Sequence, residues 1–214
     1  MKNGKTIIVA GHYGAGKTNV AVSLALAHKN DGAVLVDLDT VNPYFRAADS
    51  VQELNAAGVR TIIPEYANSN VDIPTLPPEI TSVFFSDETA IFDVGGDDGA
   101  SALGVYERDI KARGYEMLYV INMYRPLTAD PDDAVSLMRE IEAYSRLNFT
   151  GIVNNSNLGA ETTLKTVTDS LSYAARVSEI CGLPVVFTSV IGNENTPDFD
   201  GRVLVMENHT KKLF

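Results

Sequence analysis

The segment VAGHYGAGKTNV, residues 9–20, decides the fold of this chain, because an apolar run enters a loop with three glycines and leaves it as an apolar helix. Residues 6–11 (TIIVAG) are almost entirely apolar, which is typical of a strand covered on both faces. Glycines allow the backbone between the strand and the helix to curl tightly. The segment therefore predicts a strand, a tight loop and a helix in direct succession, as in an α/β sheet.

Apolar and amphipathic runs alternate along the rest of the chain. The short apolar runs suit central parallel strands, and the longer amphipathic runs suit the helices between them. We therefore predict an α/β fold in which residues 1–214 form a single domain with a doubly wound, mostly parallel sheet and right-handed crossovers. Residues 64–88 contain four prolines and are predicted to form a long loop with one short helix near 77–86. The predicted strands are 6–11, 33–39, 59–63, 89–95, 116–123, 150–155 and 184–190, and the predicted helices are 17–29, 45–57, 101–113, 130–147 and 162–181.

Length, charge and cysteine content argue against several classes of protein. A chain of 214 residues suits one buried core, and it has no apolar run near the ~18 residues that a membrane helix needs. Its 17 Lys and Arg against 28 Asp and Glu give a net charge of −11, which argues against binding to nucleic acid or anionic lipid. The single cysteine, Cys181, excludes an internal disulfide and a cysteine metal site. We expect a cytoplasmic protein that binds neither nucleic acid nor membranes.

Residues 11–18, GHYGAGKT, here called the glycine loop, match the phosphate-binding motif G-x-x-x-x-G-K-[ST] in full. Its glycines let successive backbone N–H groups point at phosphate oxygens, and the following helix adds its positive N-terminal end. Lys17 can reach the β- and γ-phosphates, and the Thr18 hydroxyl can bind Mg²⁺. The alternative is a glycine-rich turn without a ligand, but the predicted strand and helix on either side favour a nucleotide-phosphate site. The predicted nucleotide-binding residues here are Gly11, Tyr13, Gly14, Ala15, Gly16, Lys17, Thr18 and Asn19.

Acidic residues stand at the ends of two other predicted strands. Asp37 and Asp39 close the strand AVLVDLD, and Asp93 closes IFD before a pair of glycines. Because ligands of an open α/β sheet lie beyond the carboxyl ends of its strands, these carboxylates are expected on the same side as the glycine loop. An aspartate at such a strand end is a candidate second Mg²⁺ contact, direct or through water, and a glycine N–H after Asp93 could sense the γ-phosphate. The alternative for Asp93 is a role in a helix cap or a turn. The alternative for Asp37 and Asp39 is that they only close their strand, as acidic residues often do.

The glycine loop after the first strand, a second strand ending in D-x-D and a fourth ending in Asp and glycines resemble the MinD/ParA/Mrp-type ATPases. This branch of P-loop proteins also contains the CobQ/CobB nucleotide-binding domains. The resemblance covers nearly the whole chain in element order and implies a P-loop NTPase fold with ATP and Mg²⁺ as cofactors. It implies that Lys17 is the catalytic phosphate lysine, that Thr18 binds Mg²⁺, and that Asp93 holds Mg²⁺ through a water. It also implies that Asp39 is catalytic, orienting the attacking water at the metal, and that Asn154 hydrogen-bonds the adenine edge, although an asparagine there also suits a strand-end turn.

One position departs from this family. Most members carry a second lysine directly after the first glycine of the loop, which reaches the partner's phosphates across a nucleotide-dependent dimer, but this chain has His12 there. Since an imidazole cannot replace a permanent cation on a flexible arm, either hydrolysis is slow or another cation serves. Arg46 and Arg125 follow strand ends and are the candidates, and each is otherwise a surface arginine. The C-terminal VLVMENHTKKLF offers a strand-like VLVM rather than the membrane-binding amphipathic helix of MinD-like proteins.

The sequence thus favours a Mg-ATP-binding ATPase that hydrolyses ATP to ADP and phosphate and acts as a nucleotide-dependent switch or assembly factor. Its expected partners are ATP, an unidentified protein and, as one candidate, a second copy of the chain. ATP is favoured over GTP because GIVNNSNLG lacks the guanine motif N-K-x-D. Two alternatives stay open. One is an ATP-dependent small-molecule synthetase or kinase with residues 64–88 as a lid over the acceptor, and the other is a nucleotide-binding module without hydrolysis.

Overall fold

The structure is a computed structural model that describes residues 4–38, 47–63, 78–191 and 203–206, without the side chains of residues 47–50, 97 and 98. The described strands form one sheet of eight, in the order β3-β2-β4-β1-β5-β6-β7-β8, and every neighbouring pair is parallel. The predicted α/β class and parallel sheet are therefore confirmed, while a single domain over the whole chain stays a prediction. The strands are β1 (Thr6–Gly11), β2 (Ala33–Asp37), β3 (Arg60–Ile62), β4 (Thr89–Asp93), β5 (Glu116–Ile121), β6 (Gly151–Asn154), β7 (Val185–Ile191) and β8 (Val203–Met206). The helices are α1 (Lys17–Ala27), α2 (Ala47–Ala56), α3 (Glu79–Val83), α4 (Gly96–Gly104), α5 (Glu107–Arg113), α6 (Pro131–Ser145), α7 (Leu164–Asp169) and α8 (Leu171–Cys181).

The central strands of the sheet are buried on both faces, as their apolar sequences predict. Successive side chains of a strand point to opposite faces, so Ile8 and Phe92 lie in one half of the core and Val9 and Ile91 in the other. Side chains of α1 and α2 cover the half that holds Val9, and side chains of α3–α6 and α8 cover the half that holds Ile8. The connection after β1 and the connections after β4 and β5 thus lie on opposite faces, and the sheet is doubly wound.

The carboxyl edge of the sheet is where these connections diverge. β1 lies between β4 and β5, and α1 leaves it toward one face, while α4 and α6 leave its two neighbours toward the other. In a doubly wound sheet this divergence opens a crevice in which ligands bind. The glycine loop connects β1 to α1 and therefore lies at that crevice.

The predicted helix 101–113 is wrong in its start and in its continuity. The structure has two helices there, α4 and α5, separated by a turn that contains Tyr106. Glycines lower helix propensity, but burial of one α4 face overrides that preference and the helix begins at Gly96. The Tyr106 ring packs against Phe84 with 5.6 Å between ring centroids, a tertiary contact that helical periodicity does not encode. Because α4 begins at Gly96 rather than at residue 101, its first residue lies only three residues after Asp93.

The predicted helix 162–181 is also two helices, α7 and α8, with an interruption at Ser170. The Ser170 side chain is fully buried, and its Oγ donates to the Val167 carbonyl at 2.7 Å and accepts from the Asn154 amide at 2.9 Å. A serine hydroxyl that bonds to the backbone competes with the hydrogen bonds of a helix. The interruption therefore depends on a strand-end residue that lies outside the local pattern.

Smaller predictions for the other elements are confirmed. The predicted helix 130–147 is α6, which begins at Pro131. The carboxylate of its N-cap Asp130 accepts from the N–H of Asp132 at 2.8 Å. The short helix expected near 77–86 is α3, although residues 64–77 of that region lie outside the described residues. The strand-like VLVM is β8, an edge strand beside β7.

None of the described helices is long and apolar enough to cross a membrane.

Candidate nucleotide-binding site

The glycine loop leaves β1 at Gly11 and enters α1 at Lys17. Gly14 and Gly16 have φ angles of 76° and 85°, a left-handed backbone conformation that L side chains rarely adopt. Gly16 is also the N-cap of α1 and has no side-chain acceptor to offer the first N–H groups of the helix. These N–H groups and the positive end of α1 are therefore suited to binding an anion at the loop.

Lys17 and Thr18 stand in the first turn of α1, and each is only 3% exposed. Lys17 Nζ donates a hydrogen bond to the His12 carbonyl at 3.1 Å. The ammonium group is therefore held against the backbone of the glycine loop, close to any group that the loop binds. Both residues lie where the phosphate-binding motif requires them, and their roles in binding phosphate and Mg²⁺ stay predictions.

Two aspartates end neighbouring strands beside the loop. Asp37 is the last residue of β2 and Asp93 is the last residue of β4, and the sheet register pairs them directly. Asp93 is also paired with Val9 of β1, two residues before the loop. Asp37 is 2% exposed and Asp93 is 3% exposed, and the Leu38 N–H donates to the Asp93 carbonyl at 2.8 Å. The two carboxylates thus lie on the expected edge of the sheet, whereas Asp39 lies outside the described residues.

The oxygen donors at this edge fit a nucleotide-bound Mg²⁺. The Thr18 hydroxyl and the carboxylates of Asp37 and Asp93 are hard oxygen ligands of the kind that Mg²⁺ prefers. Magnesium bound with a nucleotide takes most of its ligands from phosphate and water, and only one or two from protein carboxylates. Within the described ranges no group of three or more His, Cys, Asp or Glu side chains could hold a metal ion by itself.

The two asparagines at the end of β6 have different surroundings. Asn154, predicted to contact adenine, is fully buried, and its amide already bonds to Ser170 at 2.9 Å and to the Ser156 hydroxyl at 2.7 Å. An adenine contact by Asn154 stays a prediction, and it would have to displace these bonds. Its neighbour Asn155 instead donates from Nδ2 to the Ala15 carbonyl of the glycine loop at 2.6 Å. Sequence reasoning missed Asn155.

The sequence contains one signal that could have identified Asn155, which is the two-residue alternation of side chains along a strand. Ile152 lies in the half of the core under α6 and α8, and Val153 lies in the half under α1. The alternation continues past the end of β6, so Asn154 meets α8 and Asn155 meets the loop that leads into α1. The sequence shows the alternation but not which face α1 covers.

Arg125 reaches the glycine loop from the end of β5. Its Nε donates to the Gly14 carbonyl at 2.9 Å, and the guanidinium group is exposed. Of the two candidate cations, Arg125 therefore contacts the loop, whereas Arg46 lies outside the described residues. Tyr13, at the tip of the loop, is 61% exposed, and Asn19 lies in the first turn of α1.

Buried hydroxyl groups support the segment that carries Arg125. The Tyr173 hydroxyl donates to the Thr128 carbonyl, and Thr128 Oγ1 donates to the Asn122 carbonyl at 3.0 Å. Burial raises the pKa of Tyr173 well above its usual value, because the apolar surroundings favour the neutral hydroxyl that donates this bond. The Asn122 carboxamide accepts in turn from the Tyr124 N–H at 3.0 Å. Residues 122–128 are therefore a hydrogen-bonded turn that presents Arg125 to the loop.

A family model for Zeta toxin matches residues 2–71, about a third of the chain. The matched part contains β1, the glycine loop, α1 and β2. No curated protein matches the sequence. The match covers less than half of the chain, so it is a local similarity around the glycine loop and does not by itself show a family.

Several solved structures are similar to this protein in fold, although their sequences are only distantly similar to its sequence. Chloroplast FtsY from Physcomitrella patens has a TM-score of 0.56 at 16% identity, over 89% of this chain and 59% of that one. Cell division protein FtsY from Thermotoga maritima has a TM-score of 0.51 at 18% identity, over 89% of this chain and 63% of that one. A nucleotide-binding protein in complex with ADP from Archaeoglobus fulgidus has a TM-score of 0.53 at 14% identity, over 86% of this chain and 81% of that one.

These likenesses show the fold alone, because the identities are low. The fold is that of the P-loop NTPases, with one parallel eight-stranded sheet and helices on both faces. The chain spans about three fifths of the two FtsY structures. A closer relationship to the MinD/ParA/Mrp-type proteins is not distinguished by these matches.

Proposed function

We propose that this protein is a Mg²⁺-dependent ATPase that binds ATP at the glycine loop, hydrolyses it to ADP and phosphate, and acts as a switch for a protein partner. The observation that carries the proposal is the register of the sheet. It brings Asp93 at the end of β4 beside β1, whose end forms the phosphate-binding loop. A phosphate cradle and a buried carboxylate on adjacent strand ends are the parts that phosphoryl transfer requires. The similar fold of an ADP complex also supports a nucleotide ligand.

Each part of the site has a distinct role in this proposal. The N–H groups of the loop and the Lys17 ammonium bind the phosphates, and Thr18 and Asp93 would hold Mg²⁺. Bound Mg²⁺ supplies neutralisation of the charge on the phosphate oxygens. Asp39 orients the attacking water. The water oxygen bonds to the γ-phosphorus, the bond to the bridging oxygen breaks, and its electron pair stays with ADP. One proton of the water remains on the released phosphate and the other passes to solvent.

The switch would act through α4. This helix begins three residues after Asp93 and packs closely on α6, since a Cβ on Gly104 would lie 2.9 Å from the Tyr144 carbonyl. A change in the contacts of Asp93 after phosphate release would therefore move α4 against a tightly fitted neighbour. Val105 and Tyr144 at this contact are 73% and 53% exposed, which offers an apolar surface to a partner.

Phosphate release from Mg-ATP at several protein concentrations, beside an Asp39→Ala variant, tests the proposal. We expect Asp39→Ala to release phosphate about 100-fold more slowly, because a residue that orients the nucleophile contributes on this scale. Mg-ATP binding should persist in the variant. Specific activity that rises with protein concentration would indicate a catalytic homodimer.

Two results would contradict autonomous hydrolysis. If wild type and Asp39→Ala bind Mg-ATP equally and neither releases phosphate, the chain is not an ATPase by itself. If phosphate leaves ATP only when a small-molecule acceptor is added, the protein is a kinase or synthetase.

Arg125 is proposed to supply the permanent cation that His12 lacks. Replacing Arg125 with alanine removes a charge-assisted bond to the Gly14 carbonyl, so we expect kcat/KM for ATP to fall about tenfold. Steady-state phosphate release measures the change. The matched control is Arg176→Ala, an exposed arginine that pairs with Glu179 at 3.0 Å. It lies on α8, which packs on the opposite face of the sheet from α1. Equal kcat/KM values for ATP in the two variants would show that Arg125 does not contribute to the site.

A further inference from the structure

We propose that Asn155, held in place by Ser189, is a positioning residue that orients the peptide between Ala15 and Gly16 for phosphate binding. The inference deepens the proposed function and rests on it, since it explains how the glycine loop keeps its shape. Neither residue belongs to the phosphate-binding motif. Asn155 directly follows β6 and Ser189 lies in β7, and both strands are on the far side of β5 from the loop.

The orientation follows from the geometry of a peptide unit. Asn155 Nδ2 donates to the Ala15 carbonyl oxygen at 2.6 Å. A trans peptide is planar, and its C=O and N–H point in opposite directions. Holding the Ala15 carbonyl toward β6 therefore turns the N–H of Gly16 away from β6. That N–H belongs to the group that binds phosphate oxygens in this motif.

Asn155 is itself rigidly held. It is only 2% exposed, and its backbone N–H donates to the Ile121 carbonyl at the end of β5 at 2.9 Å. Its Oδ1 accepts a hydrogen bond from Ser189 Oγ within β7, and Ser189 is 5% exposed. Because a carboxamide oxygen only accepts and its nitrogen only donates, the Ser189 bond leaves Nδ2 directed at Ala15. Three strands thus determine the direction of one amide group.

The close fit of Asn155 also accounts for the last glycine of the loop. A Cβ on Gly16 would lie 2.3 Å from Asn155 Nδ2, so any larger residue would displace the carboxamide. Arg125 bonds to the preceding carbonyl, that of Gly14, but from an exposed position. The loop is therefore bonded at two consecutive carbonyls, and the buried bond is the one that Asn155 makes.

Hydrogen exchange without any nucleotide tests whether Asn155 holds the loop. We expect amides within residues 11–16 to exchange about tenfold faster in Asn155→Ala and in Ser189→Ala, since loss of one buried hydrogen bond shifts local opening on this scale. Ser189→Ala keeps Asn155 and is the milder variant if Asn155→Ala folds poorly. The matched control is Ser170→Ala, which removes the corresponding serine bond from Asn154 and should leave loop exchange unchanged. Unchanged exchange in both test variants would overturn the inference.

Calorimetry with Mg-ADP and with Mg-pyrophosphate then tests the consequence for ligands. Pyrophosphate has no base, so a defect in the phosphate cradle should weaken both ligands alike, by about tenfold in Asn155→Ala. Weaker binding of ADP alone would mean that Asn155 contacts the base, which overturns a positioning role. A lower unfolding temperature with unchanged affinities for both ligands would show that Asn155 has only a structural role, and this result would also overturn the positioning role. If wild type binds neither ligand, the proposed function fails, and the exchange experiment still decides whether Asn155 holds the loop.

Discussion

Replacement of Lys17 by methionine is expected to lower kcat/KM for ATP hydrolysis by about a thousandfold, because the only side-chain cation of the phosphate-binding motif is lost. The Lys17 side chain is 3% exposed and its Nζ contacts the loop at the His12 carbonyl. Methionine keeps the length and the apolar stem of lysine, so the packing of α1 should be preserved. We therefore expect the free energy of unfolding to change by about 1 kcal/mol or less. Phosphate release and denaturant unfolding measure the two quantities on the same samples.

The chain offers a matched control for this charge removal. Lys29 lies in the short turn after α1, at the opposite end of the helix, and is exposed. Lys29→Met removes the same charge from the protein and should leave kcat/KM within about twofold. Lys17→Arg keeps the charge but exchanges a compact ammonium for a planar guanidinium, so activity should be only partly retained. Wild-type activity in Lys17→Met would show that the glycine loop does not bind the reacting phosphates.

Asp93→Asn is expected to lower kcat/KM about 300-fold and to raise the Mg²⁺ concentration needed for half-maximal activity. The substitution keeps the shape of a side chain that is 3% exposed, and it removes the negative charge at the end of β4. A neutral amide is a weaker Mg²⁺ ligand than a carboxylate, whether it binds the ion directly or through water. Mg²⁺ titrations of phosphate release, with ATP held constant, give both parameters.

Two companion variants separate the role of Asp93 from a general effect of charge. Asp37→Asn changes the carboxylate that the sheet register pairs with Asp93, and a smaller loss of about tenfold is expected if Asp93 is the nearer ligand. Asp87→Asn changes an exposed aspartate just before β4 and should have no effect. A loss of activity in Asp93→Asn without any change in the Mg²⁺ requirement would argue against a metal contact at this position.

Local physical chemistry explains why much of this site could be predicted from the sequence. The phosphate-binding motif is contiguous, and its function depends on glycine backbone freedom and on the end of the helix that immediately follows. Apolar strand runs and the aspartates that end them are likewise visible without knowing the fold. The strand that leads into the loop, the loop itself and the start of α1 at Lys17 agree with the prediction.

Predictions failed where a distant residue overrides the local pattern. The helix predicted over 162–181 is interrupted because the Ser170 hydroxyl bonds to Val167 and to Asn154 of β6. The helix predicted over 101–113 starts at Gly96 instead, because burial against the sheet outweighs the low helix propensity of glycine. Asn154 and the sheet residues that α4 covers lie outside the sequence window that sets helical periodicity.

The sequence by itself determined that a phosphate-binding loop joins a buried strand to a helix, and that aspartates follow other strands of the same sheet. Only the tertiary structure decided which strands are neighbours and which residues face the loop. The pairing of Asp93 with Asp37, and the bond from Asn155 rather than Asn154 to Ala15, depend on strand order and on the face that α1 covers. Strand order and helix placement are set by the packing of residues that lie far apart in the chain. Local propensity and the two-residue alternation of a strand contain no information about that packing.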